Sequence, residues 1–534
     1  MTDISTSGWD VVSMTDINTV NAIINANRNY PENFAVVDEN SGDIIRLDCR
    51  WGKWTVTPDG SGERVSIQCE ITDGTVLFYG NTIKLNDASE NSWVKVELSL
   101  KGRASVPESW ADKDTVTENT RADRLMAAPD SKVILTDTFF SGVTKNRLLK
   151  IFLQMLTEEW FNDNLDTLGQ VFAVILIGLE SQDSDFEWLS PSAYSYALGS
   201  SIDKKTAGFG VLTLTDGKTD TGSLQQSLDI QALDLVKESG ANLALVISKH
   251  MFVKHILLPA AVSLIKGSGE SDFTLSDTGL SLSNNREMVW QDFDDGKGGT
   301  FSPVLPKNGF ILTLQSECIH LSIVGAHYRP NGMCTVSMGI EQNFSYKVEK
   351  NARGEPVFVP DEKGLGDAQV SCSVEFDKWV QVFELTMGII TGIATVISLG
   401  TAAASALSAR SATTYTANRA AGIAMASLDN LSEVSVTCSE AVAISGRILR
   451  GIPSNPTIFN AVKIASAVTA ATTGLALSGT MIASAVYENK YDDVPSFHDI
   501  ARRITGSTVW PGINNTELKS ASLADSFVIG LEIR

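Results

Sequence analysis

The sequence predicts an α+β protein in which long curved antiparallel sheets wrap around amphipathic helices, with an all-helical insertion near the C-terminus. Three observations predict this fold. Long segments alternate apolar and polar residues, which is typical of strands with one buried face. Shorter segments repeat apolar residues at helical spacing. Two segments near the C-terminus, Leu385–Ala409 and Ile464–Tyr487, contain no charged residue.

The first helix is predicted directly after a short strand at Trp9–Met14. Asp16 offers a carboxylate that can cap the helix N-terminus, and the helical spacing continues to about Asn27. The apolar residues on one face of this helix are candidates for the core: Ile17, Val20 and Ile24.

The pattern then changes to a period of two, which predicts long antiparallel strands with one buried and one wet face. Residues 58–62 and Asp73-Gly74 are predicted to be turns between these strands. The predicted strands are Ile44–Thr57, Glu63–Thr72, Thr75–Tyr79 and Trp93–Leu100.

Two further helices are predicted to contribute to an apolar core. Val143–Asn162 places large apolar residues on one face, and Ser248 caps a helix that continues to about Ile265. Alternating segments follow between Phe273 and Phe376, and they resume in Lys519–Ile533. The candidate core or ligand-lining residues of these two helices are Leu148, Phe152, Leu156, Phe252 and Ile256.

The two uncharged segments are long enough to cross a bilayer as helices, since about 20 apolar residues suffice. Most of their residues are Gly, Ala, Ser or Thr, which makes insertion marginal. One interpretation is a tightly packed helical hairpin, and the other is conditional membrane insertion. The candidate insertion residues are Gly388, Ile389, Gly392, Ile393, Val396, Leu475 and Met481.

Length and composition bound the organisation of the chain. The 534 residues suggest about two to four domains. We predict an N-terminal half at 1–187, a C-terminal half at 188–384 with 505–534, and the helical insertion at 385–504. The first ten residues lack the basic and apolar regions of a signal peptide. Synthesis in a bacterial cytoplasm is therefore expected, and release would need a non-classical route.

The formal charge of −21 argues against a nucleic-acid partner, which requires a basic surface. It also argues against simple electrostatic docking on anionic lipid at neutral pH. The motifs of P-loops, dinucleotide sites, zinc proteases, kinases and serine hydrolases do not occur. We therefore expect no enzyme activity, no metal and no cofactor. An elongated apolar core between sheet and helices would hold an acyl chain if side chains leave it incompletely filled.

Several short motifs, in this order, resemble a known family: Gly8-Trp9-Asp10, Asp16–Ile24, Trp188–Pro191, Ile256–Ala260, Trp510-Pro511 and Leu518–Leu523. Together they resemble the forty-seven-kilodalton protein and OrfX family of clostridial neurotoxin gene clusters. That resemblance implies a tubular lipid-binding (TULIP) fold and non-enzymatic binding of a lipid or other hydrophobic ligand. It also implies an accessory role to a bacterial toxin, with the toxin or proteins of the same cluster as partners.

Three functional hypotheses follow from these observations. The first is a hydrophobic-ligand or lipid-binding accessory protein of a toxin system. The second is a pore-forming or conditionally membrane-inserting toxin component that uses the paired uncharged segments. The third is a scaffold with a filled core that binds proteins through its acidic surface.

Overall fold

The computed structural model describes residues 3–28, 30–38, 45–104, 123–128, 130–165, 174–175, 187–189, 191–290, 293–294, 300–329, 334–344, 346–350, 356–360, 369–376, 416–417 and 516–533. The strands, in chain order, are β1 (Val11–Asp16), β2 (Asn33–Asp38), β3 (Ile45–Val56), β4 (Arg64–Phe78), β5 (Asn81–Lys84), β6 (Ser92–Ala104), β7 (Asp123–Ala127), β8 (Ile134–Phe139), β9 (Val174–Ile175), β10 (Ala193–Ser200), β11 (Ala207–Leu214), β12 (Leu243–Ile247), β13 (Phe273–Leu275), β14 (Ser281–Asn284), β15 (Met288–Val289), β16 (Phe293–Asp294), β17 (Thr300–Phe301), β18 (Val304–Leu305), β19 (Phe310–Leu314), β20 (Ile319–Tyr328), β21 (Cys334–Phe344), β22 (Tyr346–Lys350), β23 (Pro356–Pro360), β24 (Gln369–Phe376), β25 (Thr416–Ala417), β26 (Thr516–Leu523) and β27 (Phe527–Ile533).

The α-helices among the described residues have between four and 17 residues. In chain order they are α1 (Ile17–Asn27), α2 (Arg147–Asp163), α3 (Gln231–Lys237), α4 (Lys249–Phe252) and α5 (Leu258–Leu264), with a π-helical turn at Val253–Leu257 that joins the last two. Single 3₁₀ turns lie at Ser141–Val143, Glu187–Leu189 and Glu270–Asp272.

The α+β prediction is wrong, because the described part of the chain is mostly β. Strand residues outnumber helical residues by more than two to one in this part. The predicted helices exist, but they contribute fewer residues than long strands such as β4, which has 15 residues, and its neighbours. The three large sheets are built from antiparallel pairs of strands, except that the short strand β25 pairs in parallel with β24. Three large sheets, with helices as minor elements, therefore replace the predicted balance of helix and sheet in the described part of the chain.

The predicted helical insertion at 385–504 lies outside the described residues except for β25. Its two residues pair in parallel with β24, through Ser371 with Thr416 and Cys372 with Ala417. A strand at this position is inconsistent with an all-helical insertion. The physical reason is that sheet pairing can fix any extended segment, whatever its intrinsic helical propensity. No helix among the described residues is both long and apolar enough to span a membrane.

The described residues group into two compact units. The first unit contains those within Ile4–Ile247, Ile500–Ser520 and Val528–Arg534. The second contains those within Met1–Asp3, Ser248–Asp499 and Ala521–Phe527. The predicted domain boundaries at 187 and 384 stay predictions, since a compact unit in space need not coincide with a repeated half of the chain.

The first unit contains an eight-stranded sheet with the order β2-β3-β4-β6-β7-β9, in which β5 pairs with β4 and β8 pairs with β6. The predicted turn at Asp73-Gly74 does not exist, because β4 runs through it. Gly74 lies opposite Cys49 of β3, and a Cβ on Gly74 would lie 2.9 Å from the Cys49 sulfur. The glycine at this position thus lets the two strands approach closely, although glycine is also common in turns.

A six-stranded sheet with the order β10-β11-β1-β12-β27-β26 completes most of the first unit. All residues of β1, β11 and β12 are buried. Central strands with both faces covered read as continuous apolar runs rather than alternating ones. The apolar centre of this sheet is therefore a core between other layers, and it does not face solvent.

Helix α1 packs on β3 and is held there by amide side chains. The Asp16 carboxylate accepts a hydrogen bond from the Asn18 N–H at 2.9 Å, which starts the helix as predicted. The Asn21 amide donates to the Val56 carbonyl at 3.0 Å and accepts from the Val56 N–H at 2.7 Å. Asn25 donates to the Trp54 carbonyl at 2.9 Å. Backbone groups at the end of β3 thus hydrogen-bond to side chains of α1.

The second unit is built on a nine-stranded sheet that follows the order β13-β14-β19-β20-β21-β24-β25, with β15 and β18 paired beside it. Its helical segment contributes Phe252, whose ring centroid lies 5.3 Å from that of Phe527. This packing explains the burial of Phe252 and fixes the helical segment within the second unit.

Candidate apolar ligand site

Six aromatic side chains form one cluster in the first unit, where α2 covers β2 and β3. We name this group the aromatic cluster: Tyr30, Phe34, Trp51, Trp54, Trp160 and Phe161. Phe34 stacks on Trp51 with ring centroids 4.1 Å apart, and Trp51 lies 5.5 Å from Trp160 of the helix. The half-buried Tyr30 ring lies parallel to Trp54 at 4.8 Å. Aromatic pairs at these distances stabilise beyond their buried area.

A bulge in β3 brings Trp51 and Trp54 into the same cluster. Residues three apart on a regular strand point to opposite faces. Here Trp51 pairs with Ile71 and Trp54 pairs with Cys69, so three steps on β3 match two steps on β4. The extra residue turns both indoles toward the buried face. They are among the least exposed side chains of the protein, at 5% and 0%.

Glu70 and Gly52 hold this bulge in place. The Glu70 carboxylate accepts a hydrogen bond from the Lys53 N–H at 3.1 Å and another from the Asn91 amide at 2.8 Å. A Cβ on Gly52 would lie 2.5 Å from the same carboxylate. Glycine at position 52 therefore allows the carboxylate to reach the N–H that the bulge leaves outside the strand ladder.

The indole N–H groups of Trp51 and Trp54 are buried and have no hydrogen-bond acceptor among the described residues. Trp9 provides a contrast, since its equally buried indole donates to the Gln225 carbonyl at 2.9 Å. A buried donor without an acceptor costs about 1–3 kcal/mol. Two such donors in one aromatic cluster are the chemical feature that a ligand with an oxygen acceptor would complete.

Three weakly acidic groups in or beside the cluster are kept protonated. Burial raises the pKa of the Cys69 and Cys49 thiols on the adjacent strands, and burial also raises the pKa of the Tyr30 hydroxyl. The Tyr30 hydroxyl donates to the Asn25 side chain at 3.1 Å. Protonated thiols are weak nucleophiles, so Cys49 and Cys69 serve as apolar packing.

The predicted lining residues of α1 and α2 lie around the same sheet, with one exception. Ile17, Val20 and Ile24 are all buried against it. On α2, Leu156 is fully buried, and the half-buried Phe152 ring lies 5.6 Å from Phe78. The exception is Leu148.

Leu148 was predicted for the core, and that prediction is wrong because its side chain is 54% exposed. The buried face of α2 consists of Leu149, Leu153, Leu156, Thr157, Trp160 and Phe161. Consecutive helical residues are rotated by about 100°, so a face assigned one residue early includes a side chain that points outward.

The remaining candidates lie elsewhere. Phe252 and Ile256 are buried in the second unit, at 3% and 7% exposure. The candidate insertion residues Gly388, Ile389, Gly392, Ile393, Val396, Leu475 and Met481 lie outside the described residues, so the membrane-inserting hypothesis stays a prediction. Sequence reasoning missed the tryptophan pair. The available signal was two tryptophans three apart around Gly52 in a predicted strand, which requires a bulge for both to be buried.

No group of three or more His, Cys, Asp or Glu side chains in the described part of the chain is arranged to hold a metal ion. His320 instead pairs with Glu341 at 2.6 Å and contacts the Asn343 amide oxygen at 2.6 Å. These contacts lie along neighbouring strands β20 and β21, where they link exposed side chains across the sheet.

The described part of the chain is mostly β and contains one cluster of aromatic side chains, which defines a fold rather than a particular protein. Residues 6–437 match the family model described as OrfX-like, "Protein OrfX2/OrfX3/P47". The chain therefore belongs to the OrfX-like family of botulinum gene-cluster proteins. The resemblance drawn from the short motifs is confirmed.

Individual relatives agree with this assignment. The chain is 23% identical over 400 residues to Protein OrfX3 of Clostridium botulinum (strain Kyoto / Type A2), covering 67% of this chain and 76% of that protein. The structure of P47 from Clostridium botulinum A2 matches with a TM-score of 0.60 and 14% identity, covering 99% and 98% of the two chains. P47 of Clostridium botulinum E1 matches at 0.58 with 14% identity, covering 99% of each. These structures share the fold, and membership of the TULIP superfamily stays a prediction.

Proposed function

We propose that the protein is a non-enzymatic accessory protein of a bacterial toxin system that binds a lipid or other hydrophobic ligand at the aromatic cluster. The observation that carries the proposal is the pair of buried indole N–H groups without acceptors, Trp51 and Trp54. An acyl or prenyl chain would pack on the aromatic rings. An oxygen of the same molecule would accept hydrogen bonds from the indoles.

The chemistry of the cluster limits which ligand fits. The aromatic rings favour an apolar body, and the two donors favour an ester, amide or carboxylic acid oxygen. The six rings carry no charge, and Arg28, which acts on the Tyr30 hydroxyl, is exposed, so a fully ionised head group buried among the rings would lose its hydration. A neutral lipid, or the ester region of a phospholipid whose charged head stays in water, is therefore the expected class.

The half-buried Tyr30 supports access to the cluster. Its ring covers one face of Trp54, and its hydroxyl is held by the Asn25 side chain and by a hydrogen bond with the Trp54 backbone. Rotation of a single side chain would uncover the Trp54 ring. By comparison, Trp51 is enclosed by Phe34, Trp160 and Phe161, so we expect a ligand to reach Trp54 first.

The experiment is mass spectrometry of an organic extract of the purified full-length chain. The proposal predicts a reproducible lipid that co-purifies at a fixed ratio to protein. The double variant Trp51→Phe with Trp54→Phe keeps two aromatic rings but removes both donors. It should lower the lipid content about tenfold or more, since two hydrogen bonds of about 0.5–1.5 kcal/mol each are lost.

The matched control is Trp93→Phe, which removes an indole on β6 outside the cluster and should leave the lipid content unchanged. A wild-type protein that repeatedly yields no lipid would overturn the proposal. Equal lipid content in the double variant and in wild type would show that the ligand, if bound, does not use these donors. The accessory role is tested separately, by co-elution with the products of neighbouring genes.

A further inference from the structure

Helix α2 exposes an apolar stripe on the face opposite the aromatic cluster. Leu148 is 54% exposed, Ile151 54% and Met155 48%. Steps of three and four residues place the three side chains on one face of the helix. Large aliphatic side chains at helical spacing on the outside of a helix require an explanation, because single exposed ones are common but aligned ones are not.

The tip of the β4–β5 hairpin lies near the first turns of α2 and exposes a further large side chain. Tyr79 is 49% exposed at the tip of this hairpin, where Tyr79 and Gly80 both have positive φ, at 47° and 76°. Positive φ at both central residues is the geometry of a tight two-residue turn. Tyr79 contacts Phe78 at 4.6 Å, and Phe78 contacts Phe152 of α2 at 5.6 Å. The hairpin tip and the first turns of α2 are therefore neighbours.

The side chains next to the stripe are cationic. Lys145, Arg147 and Lys150 surround the start of α2, whose first turn has no acidic residue. None of the three forms an ion pair with a described residue. Within α2 the first acidic side chain is Glu158, which pairs with Lys132 at 3.9 Å, and before the helix the backbones of Asp87 and Glu90 hydrogen-bond to Ser141. The chain as a whole carries −21, so three unpaired cations beside four exposed apolar side chains are a local reversal of charge.

Another exposed aliphatic side chain, Ile202, provides a comparison, because the cations beside it are paired. Ile202 is fully exposed, and it also lies beside cations, Lys204 and Lys205. There the cations are neutralised, since Lys204 pairs with Asp59 and Lys205 pairs with Asp203 at 2.8 Å. Ile202 stands alone, without apolar neighbours at helical spacing.

We infer that the start of α2 and the Tyr79 hairpin tip dock on the surface of an anionic lipid bilayer. We name these residues the docking tip: Tyr79, Lys145, Arg147, Leu148, Lys150, Ile151 and Met155. The aliphatic side chains insert at the head-group boundary, Tyr79 places its hydroxyl at the polar level, and the cations pair with lipid phosphates and carboxylates. A protein partner would also cover an apolar stripe, but the unpaired cations select a negatively charged surface.

The inference stands apart from ligand binding in the aromatic cluster, although both involve α2. The docking tip uses the outer face of the helix, while the cluster uses Trp160 and Phe161 on the inner face. Docking therefore does not require that the cluster hold a lipid. If both hold, the helix links a bilayer surface on one side with a lipid site on the other.

The test is co-sedimentation of the full-length protein with vesicles of phosphatidylcholine alone and of phosphatidylcholine mixed with phosphatidylserine. Wild type should bind the mixed vesicles and not the neutral ones, and added salt should weaken binding because it screens exposed charges. Replacing Lys145, Arg147 and Lys150 together by Gln should reduce partitioning roughly a hundredfold, since each surface cation contributes about a fivefold factor. Ile151→Ser with Met155→Ser should reduce it about tenfold or more.

The matched control is Ile202→Ser, which removes an equally large exposed side chain beside paired cations and should bind as wild type does. All substituted positions are exposed or at the surface, and circular dichroism should show unchanged folding. Absence of wild-type binding to the mixed vesicles would overturn the inference, as would wild-type binding by the triple Gln variant. The lipid content of the purified triple variant should stay at the wild-type level, which separates this result from the proposed ligand site.

Discussion

Helices α1 and α2 pack on the same eight-stranded sheet but in different ways. α1 buries its three core residues and attaches to β3 through Asn21 and Asn25, which bond backbone atoms directly. α2 packs through large aromatic side chains and leaves three aliphatic ones outside. The difference indicates that α1 completes the sheet, whereas α2 presents two apolar faces, one to the sheet and one outward. Of these two helices, α2 both stabilises the first unit through its buried face and exposes an apolar surface.

The largest loss of stability is expected from a substitution in the aromatic cluster, on the strand β3 that α2 covers. Trp54→Ala removes a fully buried indole that contacts Tyr30, Trp51 and Phe161. The loss of buried area and the cavity left behind should lower the free energy of unfolding by about 3–5 kcal/mol. Chemical denaturation followed by far-UV circular dichroism measures this change. A loss below about 1 kcal/mol would mean that the aromatic cluster does not support the packing of α2.

A smaller loss is expected where α1 is attached. Asn21→Ala removes both hydrogen bonds to Val56 and leaves a partly buried N–H and carbonyl without partners. The free energy of unfolding should fall by about 1–3 kcal/mol. The control is Asn18→Ala on the exposed side of the same helix, which should stay within about 0.5 kcal/mol of wild type. Equal losses in both variants would remove the distinction between a polar attachment and ordinary helix propensity.

The turn after β3 adds a pH-dependent contact close to this attachment. Hydrogen bonds from Lys204 and Lys95 lower the pKa of the Asp59 carboxyl to about 2. Because this value lies below that of the unfolded chain, the contact stabilises fully above about pH 4 and is lost as the pH falls through about 2. Asp59→Asn should remove this part of the acid dependence while changing stability at neutral pH by only about 0.2–1 kcal/mol. Thermal melts of both proteins between pH 5 and pH 2 measure it, and parallel curves would contradict the assignment.

The smallest stability effect is expected on the outer face of α2. Ile151→Ser replaces an exposed side chain that packs on little, so the free energy of unfolding should change by no more than about 0.5 kcal/mol. The same variant contributes to the loss of vesicle binding described above. A destabilisation comparable to that of Asn21→Ala would show that this face is part of the packing and would weaken the case for docking.

The sequence predicted the positions of individual elements better than the proportion of strand to helix. The Asp16 cap and the extent of α1 follow from short-range rules, and the structure has that helix at Ile17–Asn27. The α+β prediction is wrong because strands such as β4 are long and continue through residues that resemble turns. Glycine at position 74 is ambiguous from sequence, because the same residue type serves a turn and a close strand contact.

The candidate site was only partly predictable for a similar reason. Hydrophobic periodicity identified the α1 residues and Leu156, but it placed Leu148 on the wrong face of α2. The bulge that brings Trp51 and Trp54 together depends on Glu70 of the neighbouring strand, and cross-strand partners are not visible in a local pattern. An unpaired donor is likewise a property of the packed structure, since it depends on which acceptors lie nearby.

The central claim is that the indoles of Trp51 and Trp54 donate hydrogen bonds to a bound hydrophobic ligand. Nitrogen-15 labelling of tryptophan gives one indole resonance for each ring, and the variants Trp51→Phe and Trp54→Phe assign the two of interest. On removal of lipid and its re-addition, both indole proton resonances should shift, downfield when the ligand is bound. The Trp9 resonance should stay in place, because its donor already has the Gln225 carbonyl. Resonances of Trp51 and Trp54 that are identical with and without lipid would contradict the claim.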